Sequence, residues 1–445
     1  MKTSFGKVAI GLVLVFFFLT GCSGKGRSGS ASAAGSGGIT LTFATSVYVE
    51  APHRLAIDRL IETYNRQNPG VRIEVSGSGW ENFWDNLTVA IIGGREADIV
   101  QVYPEHIARY NILRPGGAFV DLTDRVSATN FSQNLVGQEF CDINGRTTAL
   151  SNYAWGTTGI FYRKSMLEAA GIDPGTVRTN DDFRNVSMQF VNRGTQAMGV
   201  VLGTHSFVVD EWSRFIARPV SFGLYFRGEV PPFTPENVNI NSPENIWAAK
   251  WWQDRIVQDK MFNLVPDKRD SRELFWNGNV PFNLDGPWFI GMTAERDPTL
   301  LADVGLMPQF DLVYNGQTHV PNPALYPLVT MLSSNSPHKD EAWKFMAWMA
   351  SDEAQEIISE SGMIPSSRSF ASTDSYRENN ELGYRFLYFM ENYYGPLVSN
   401  PPIPEMGEIE QVMIDAAQRM FSPTAANVER EMDAAHRRIQ GIMRN

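Results

Sequence analysis

From residue 39 onward, apolar and polar positions follow either the two-residue period of a strand or the longer period of a helix. Ile39, Leu41 and Phe43 alternate with threonines, which is the pattern of a strand with one buried face. Leu55, Ile57, Leu60, Ile61 and Tyr64 are then spaced for a helix, and Asn-Pro-Gly at 68–70 predicts its end.

The same two patterns recur along the chain. Residues 71–75 alternate, residues 81–92 have helical spacing up to paired glycines, and ADIVQVY at 97–103 predicts another strand. Strands that alternate with helices form parallel sheets with right-handed crossovers, so the expected fold class is α/β. Further along, Ser242 predicts a helix start and Gly171 a helix end, and the last part of the chain is largely helical.

The N-terminal residues have a different pattern. The first residues carry two lysines and no acid, and residues 8–19 are almost wholly apolar, which is the layout of a signal peptide and too short for the roughly 20 residues of a membrane-spanning helix. Leu-Thr-Gly-Cys, ending at Cys22, resembles the bacterial lipobox; the alternative is an ordinary secretory signal with a chance cysteine. We predict a signal peptide over residues 1–21, and a lipidated Cys22 with a flexible Gly/Ser/Ala linker over residues 22–38.

Composition narrows the functional class. The chain has 445 residues, of which 43% are hydrophobic, enough for two cores. Its formal charge of -11 argues against nucleic acid as a partner. If Cys22 carries lipid, Cys141 is the remaining cysteine, so no disulfide framework is expected.

The usual signatures of enzymes and metal sites are missing from the sequence. There is no H-E-x-x-H, C-x-x-C, G-x-S-x-G or Walker loop, and the six histidines are scattered singly, so we expect no metal and no cofactor. One enzymatic alternative stays open, a secreted carbohydrate-active enzyme, because the separation of two catalytic carboxylates is a spatial property.

Aromatic residues are abundant where strands are expected to end. Eleven tryptophans are present, and four of them lie at or near such positions: Trp80, Trp155, Trp212 and Trp288. A pyranose has a face of C–H groups that packs on an aromatic ring and a rim of hydroxyls that needs planar hydrogen-bonding groups. The pattern is therefore typical of carbohydrate binding, and Trp288, directly after Gly-Pro, is the sharpest candidate.

Seven weak motifs stand in a fixed order over nearly all of the chain beyond the linker. They are YNRQNPGVRIEV, LTVAIIGGREADIV, GAFVDLTDRV, TGIFYRKSMLEAAGIDP, TNDDF, NGNVPFNLDGPW and SPHKDEAWKFMAWMASDEAQEIISESGMIP. Together they resemble the extracellular solute-binding proteins of bacterial ABC importers, in the branch that includes maltose-binding protein.

The resemblance implies a two-lobed periplasmic-binding-protein fold of the class II type, with parallel-sheet lobes and a ligand cleft between them. By similarity, the chain crosses between the lobes near residues 152–156, 306–308 and 351–353. The implied first lobe is 39–151 plus 308–352, and the implied second lobe is 152–307 plus 353–445.

The resemblance also implies site residues on the first lobe. The strand ADIVQVYPEHI aligns with a family strand whose end supplies an acid and a base to sugar hydroxyls. This implies Glu105, with His106 as the weaker candidate and Tyr103 just before them. The loop after the first strand offers Tyr48 and Glu50 where the maltose-binding protein has a charged pair.

On the second lobe, Trp288 matches the tryptophan of the family's G-x-W motif, which stacks on the sugar, and Asp285 precedes that motif. The segment near Gly407 lacks the family's C-terminal stacking tryptophan. Because of these departures, the expected ligand is not maltose itself.

The sequence therefore predicts an exported, membrane-anchored, non-catalytic receptor that captures a sugar or oligosaccharide. It is expected to be a monomer that delivers its ligand to the permease subunits of an ABC transporter. The alternative ligand is another polar solute, such as a glycerol phosphate ester, for which Arg163 and Arg214 are the candidate cations.

Overall fold

The computed structural model describes residues 38–221 and 223–444, except for the side chains of Trp80 and Glu81. The predicted signal peptide, the lipidation of Cys22 and all of the linker before Gly38 lie outside these residues. Within them, no helix is long and apolar enough to cross a membrane.

The strands and helices have the following bounds. The strands are β1 (Ile39–Ala44), β2 (Val71–Ser76), β3 (Ile99–Val102), β4 (Asp142–Ile143), β5 (Arg146–Thr147), β6 (Ala154–Gly156), β7 (Gly159–Arg163), β8 (Met198–Val201), β9 (Phe262–Val265), β10 (Phe282–Asp285), β11 (Val304–Met307), β12 (Leu312–Tyr314), β13 (Gln317–His319), β14 (Tyr326–Pro327), β15 (Val329–Leu332) and β16 (Ile364–Pro365). The helices are α1 (Ala51–Gln67), α2 (Trp80–Ile92), α3 (Ile107–Ile112), α4 (Thr123–Ser127), α5 (Phe131–Asn134), α6 (Lys164–Ala170), α7 (Asn180–Val191), α8 (Phe207–Trp212), α9 (Arg218–Ser221), α10 (Pro243–Val257), α11 (Lys268–Trp276), α12 (Trp288–Arg296), α13 (Pro298–Leu301), α14 (Lys339–Met349), α15 (Asp352–Ser359), α16 (Arg368–Ala371), α17 (Asp374–Asn379), α18 (Glu381–Asn392), α19 (Met406–Phe421) and α20 (Val428–Ile442).

Several helix ends lie where the sequence predicts them. Helix α1 ends at Gln67, directly before Asn-Pro-Gly. The Ser242 side chain caps α10 by accepting a hydrogen bond from the backbone N–H of Asn245. Gly171 ends α6 with a φ of 70°, a conformation that glycine adopts without steric cost.

The first lobe is built on a four-stranded sheet of order β15-β3-β1-β2. Strand β1 is parallel to both β2 and β3, with Ile39 opposite Val71 and Phe43 opposite Ile99, as the β-α-β-α-β pattern predicts. Strand β15 returns from far along the chain and pairs antiparallel with β3. One core of this lobe packs against α1, α14 and α15, around residues such as Phe43.

The second lobe is built on a five-stranded sheet of order β11-β7-β10-β8-β9. Strands β8, β9 and β10 are parallel, whereas β7 is antiparallel to both β10 and β11. Its main core includes apolar residues of α7, α10, α19 and α20. A second core on this lobe includes Phe161, Phe275, Phe289 and Phe386.

The two lobes are joined by a small three-stranded sheet of order β14-β6-β16, which we call the hinge sheet. Strand β6 leads from the first lobe into β7, and β14 leads back into β15. Tyr326 and Ile364, from β14 and β16, pair on either side of β6. Three crossings of the chain therefore run side by side.

The predicted limits of the lobes are wrong at two of the three crossings. Residues 308–325 do not return to the first lobe after β11, because Phe310 and Leu312 are buried in the main core of the second lobe. Helix α15 does not yet belong to the second lobe, because Ile357 and Ile358 pack in the first-lobe core. The second and third crossings lie instead at β14 and β16, beside β6 of the hinge sheet.

Candidate functional site

The candidate site lies between the lobes, beside the hinge sheet. Tyr103 follows the carboxyl end of β3, and Trp288 is the first residue of α12 after β10. Both rings contact Tyr326 of β14 edge to face, with centroids 6.4 Å and 5.9 Å away. Ligands of α/β sheets bind beyond the carboxyl ends of strands, so this cleft is the place to expect a solute.

Tyr326 is at the centre of this arrangement and was missed by sequence reasoning. Its ring is partly exposed, and the guanidinium carbon of Arg214 lies 3.8 Å from its centroid. Nothing in the stretch around Tyr326 marks a site, and the predicted crossing at 306–308 assigned this residue to the first lobe. The pairing of β14 with β6, which no local pattern reveals, brings it to the cleft.

Trp288 keeps its role as a candidate platform for a sugar ring. It is partly exposed, and its indole N–H donates to Asp285. A Cβ atom added to Gly156 or Gly286 would lie 2.6 Å or 2.3 Å from the ring, closer than real contacts allow. The two glycines therefore let the indole lie flat on the backbone, which fixes its orientation in the cleft.

The expectation that Trp155 and Trp212 bind solute is contradicted by their burial. Both side chains are 0% exposed. Trp155 lies within the hinge sheet and donates from its indole N–H to the carbonyl oxygen of Pro365 at 3.1 Å. Trp212 packs edge to face on Phe421, with centroids 5.7 Å apart, in the second-lobe core. Both rings therefore serve packing. The sequence did not reveal this, because strand ends and core strands have the same local pattern.

Trp80 and Tyr48 are the remaining aromatic candidates on the first lobe, and only the side chain of Tyr48 is described. Trp80 begins α2, but its side chain lies outside the described residues. The hydroxyl of Tyr48 donates to Asp58 on α1 at 2.7 Å. Tyr48 is partly exposed, and its place in a solute site stays a prediction.

Asp285 is buried beneath Trp288 and supports its ring, so it is not exposed to a solute in the cleft. It is buried and forms an ion pair with Arg272 at 2.8 Å, while also accepting the N–H of Trp288. Burial alone would raise the pKa of Asp285, but the charges of Arg272 and Lys268 together with hydrogen bonds hold it below its usual value. Asp285 is thus an anion that orients Trp288.

Glu105 and His106 share one short turn, and the acid is the better candidate for solute binding. Glu105 is partly exposed, and burial raises its pKa to about 7, opposed by a backbone hydrogen bond and by the charge of Arg214. Burial lowers the pKa of His106 to about 3. The neutral His106 ring packs 4.1 Å from Trp84 and 5.5 Å from Tyr110, so it belongs to an aromatic cluster.

The second lobe contributes a set of charged residues that the sequence analysis largely missed. Helix α8 continues through a π-helical turn, Ser213–Ala217, into α9; such turns are frequent at functional sites. Arg214 pairs with Asp210 at 2.8 Å, and Arg218 pairs with Glu229 at 3.3 Å. These residues lie on amphipathic helices and loops, where no motif distinguishes them from surface charges.

Glu410 on α19 belongs to the same charged set. It is partly exposed, and burial together with the charges of Asp210 and Glu105 raises its pKa to about 8. The interaction with Glu105 is informative because Glu105 lies on the first lobe and Glu410 on the second. The charges of the two lobes therefore interact across the cleft.

Arg163, a candidate for binding phosphate, is used elsewhere. It pairs with Asp303 at 2.6 Å and donates to the carbonyl oxygens of Phe275 and Trp276. These contacts tie β7 to the end of α11 and to the residue before β11 in its own lobe. Among the described residues, no group of three or more His, Cys, Asp and Glu side chains is arranged to hold a metal ion.

Comparison with known proteins assigns the family. The sequence pattern of the family described as "Bacterial extracellular solute-binding protein" matches residues 50–356. The chain belongs to this family. Its members are exported solute-binding proteins and not enzymes, which confirms the expectation of binding without catalysis.

Relatives and solved structures of the family agree with this assignment. The chain is 21% identical over 366 residues to the maltotriose-binding protein of Pyrococcus abyssi, covering 80% of this chain and 73% of that one. It is 21% identical to the arabinooligosaccharide-binding protein of Bacillus subtilis, covering 83% and 82%. The structure of maltose-bound T. maritima MalE3 superposes with a TM-score of 0.75 at 17% identity, covering 91% of this chain and 99% of that one. The two-lobed α/β fold expected from the sequence is confirmed.

Proposed function

We propose that this solute-binding protein captures a sugar or short oligosaccharide in the cleft beside the hinge sheet and delivers it to the permease of an ABC transporter. The observation that carries the proposal is the set of aromatic rings around Tyr326, with Tyr103 on one side and Trp288 on the other. Partly exposed rings that converge on one cleft, next to carboxyl groups, suit the C–H faces and hydroxyl rims of sugars.

The related proteins support the same class of ligand. Two of the relatives named above bear the names of maltotriose and arabinooligosaccharide binders, and a structure from Thermotoga lettingae with a TM-score of 0.73 contains bound tagatose. These proteins share only about 20% identity with the chain, and they are named for different sugars. They therefore favour a carbohydrate ligand but do not identify which one.

The alternative ligand, a phosphate ester, is less well supported by the charges in the cleft. Arg163 is held by Asp303, and Arg214 is held by Asp210. A phosphate would have to compete with these carboxylates and would lie near Glu105 and Glu410. Phosphate sites offer several unpaired donors to one anion, which these two arginines do not.

The membrane attachment is part of the proposal. Lipidation of Cys22 would hold the protein at a membrane. We expect Cys22→Ser to release the protein from the membrane fraction without changing its melting temperature. A serine variant that remains membrane-bound would contradict the lipid anchor.

A calorimetric and thermal-shift screen of mono- and oligosaccharides tests the ligand class. A ligand at about 100 times its dissociation constant stabilises the folded state by roughly 2.7 kcal/mol, which gives a measurable rise in melting temperature. We expect a saturable shift with at least one sugar and contraction of the protein in solution scattering. A shift with glycerol phosphate esters and none with sugars would overturn the proposal.

A further inference from the structure

Four residues donate hydrogen bonds to the buried carboxylate of Asp285. The guanidinium of Arg272 donates to both oxygens, from Nε to Oδ2 at 2.8 Å and from Nη2 to Oδ1 at 3.2 Å. The backbone N–H of Gly286 and the indole N–H of Trp288 donate to Oδ1, and the side chain of Asn283 donates to Oδ2 at 3.3 Å. Because Asp285 is only 2% exposed, its oxygens serve these donors and not a solute.

The two-pronged contact with Arg272 fixes the direction of the Asp285 carboxylate as well as its charge. A guanidinium is planar and rigid, so two N–H···O bonds to one carboxylate hold the plane of that carboxylate. A carboxylate that turned would carry Oδ1 away from the indole N–H of Trp288. The orientation of the ring therefore depends on Arg272 through Asp285.

Arg272 can act in this way because its own helix, α11, is anchored to the sheet of the second lobe. The hydroxyl of Ser271 donates to a carbonyl oxygen of β8 at 2.9 Å, and the ammonium of Lys268 donates to a carbonyl oxygen of β10. Lys268 also pairs with Glu211 on α8 at 2.9 Å. Rotation of α11 about its axis would break these buried contacts, so the guanidinium has a fixed position relative to the end of β10.

The same contacts decide which part of Trp288 a solute can use. The indole N–H is taken by Asp285, and the ring lies against the backbone of Gly156 and Gly286. What remains for a solute is the exposed part of the ring, which binds C–H groups by stacking. Stacking requires a defined ring plane, and the hydrogen bond to Asp285 provides it.

We propose that Arg272 is a positioning residue of the solute site: it holds Asp285 and, through it, the indole of Trp288, so that the ring face is presented to the sugar. This inference rests on the proposed function, because it assigns Trp288 to stacking on the solute. It gives Arg272 a role in affinity that is separate from the contribution of its ion pair to stability.

Isotope labelling of tryptophan for NMR tests the hydrogen-bonded chain without a ligand. Loss of one indole N–H resonance in Trp288→Phe identifies the signal of Trp288. We expect Arg272→Lys, which keeps the positive charge but not the planar fork, to shift this signal and to speed its hydrogen exchange about tenfold. The indole of Trp276 is the internal control, since it lies on the same helix and donates to Thr293 at 2.9 Å. The matched variant Arg269→Lys, at an exposed position of α11, should change neither signal.

Two results of this measurement would overturn the inference. Unchanged exchange at Trp288 in Arg272→Lys would show that the guanidinium does not hold the ring. Equal acceleration at Trp276 would show a general loosening of α11 instead of positioning. Asp285→Asn keeps the shape of the side chain and should free the indole in the same way, so it decides the question if Arg272→Lys fails to fold.

Calorimetry then separates positioning from stability in a double-mutant cycle. The probe is maltotriose, for which one relative is named, or the first sugar that binds in the screen described above. Arg272→Lys should weaken binding about three- to tenfold in the wild-type background and less than about twofold in the Trp288→Phe background, because phenylalanine has no N–H to hold. Losses of equal size in the two backgrounds would overturn the inference. If no sugar binds while a phosphate ester does, the proposed function fails and the role of Arg272 in sugar binding fails with it, even where the exchange result holds.

Discussion

The two walls of the cleft are built in different ways. The first-lobe wall comes from one short segment after β3, in which Tyr103 and Glu105 lie beside an aromatic cluster. The second-lobe wall comes from separate segments of α8, α9, α19 and a loop, and it is held together by buried ion pairs. The first wall depends on aromatic packing for its shape, whereas the second depends on charge.

The difference implies that changes of charge act unequally on the two walls. Removing one member of a buried ion pair from the second wall leaves the other charge buried without its partner, which destabilises the fold. Removing the charge of Glu105 from the first wall leaves no such partner. Ligand selection and stability are therefore separable at Glu105 on the first wall and coupled at the ion pairs of the second wall.

The largest expected effect is on the ion pair of Arg218. Its side chain is 2% exposed and that of Glu229 is 0% exposed, so Arg218→Met should lower the free energy of unfolding by about 3–5 kcal/mol. Denaturant unfolding measures this. The control is Arg109→Met on the first lobe, for which we expect less than about 0.5 kcal/mol. Equal losses in the two variants would show that the walls do not differ in their dependence on charge.

A second pair of variants separates stacking from packing. Trp288→Ala should reduce affinity for the sugar by about 30-fold to 1000-fold, or roughly 2–4 kcal/mol, by analogy with aromatic hot spots. Its effect on stability should be smaller, because the ring is partly exposed. Trp155→Ala should instead lower the free energy of unfolding by about 3–5 kcal/mol, since it empties a fully buried site. The reverse pattern, measured by calorimetry and denaturant unfolding, would exchange their roles.

These two tryptophans also show how far the sequence can predict the molecule. The parallel pairing of β1 with β2 and β3, the helix start at Ser242 and the helix end at Gly171 follow from local periodicity and turn residues, whereas the two-lobed fold follows from the family resemblance. Trp155 and Trp288 both stand beside glycines near strand ends, but only pairing within the hinge sheet decides that the first is enclosed and the second faces the cleft.

The charged residues of the second wall could not be predicted either, because tertiary packing and not local sequence brings them together. Asp210, Arg214 and Glu410 lie on helices whose facing depends on tertiary packing, and the sequence contains no alternation or motif that distinguishes them. Tyr326 was missed because the second crossing was placed about twenty residues too early. The first wall was easier, because its candidate residues directly follow one apolar strand.

Stability should depend on pH through Glu105 and Glu410. Their raised pKa values, about 7 for Glu105 and about 8 for Glu410, mean that the folded protein holds these protons to higher pH than the unfolded chain does. The stabilisation is fully present below about pH 4.5 and is lost as the pH rises through 7 and 8. The groups that face them are Asp210, Arg214 and Arg218.

The difference between wild type and Glu410→Gln isolates this effect from other titrating groups. We expect the variant to gain about 2 kcal/mol relative to wild type between pH 5 and pH 9, after allowance for solvent screening and coupling. Melting curves of both proteins across this range measure it. A difference that is flat with pH, or that has the opposite sign, would mean that Glu410 is stabilised in its charged form by a partner across the cleft.

The smallest expected effect is at Tyr326, where the two walls meet. Its ring packs edge to face with Tyr103 of the first lobe and with Trp288 of the second lobe, and the guanidinium of Arg214 lies over its face. Tyr326→Leu removes the cation–π contact and both edge contacts, and we expect a loss of about 1 kcal/mol, or five- to tenfold in affinity for the sugar. Tyr326→Phe keeps the ring and should bind within about twofold of wild type, since the hydroxyl makes no described hydrogen bond. If the phenylalanine variant loses as much affinity as the leucine variant, the Tyr326 hydroxyl contacts the solute directly. Tyr326 would then act through a hydrogen bond to the solute and not through its ring contacts with the two walls.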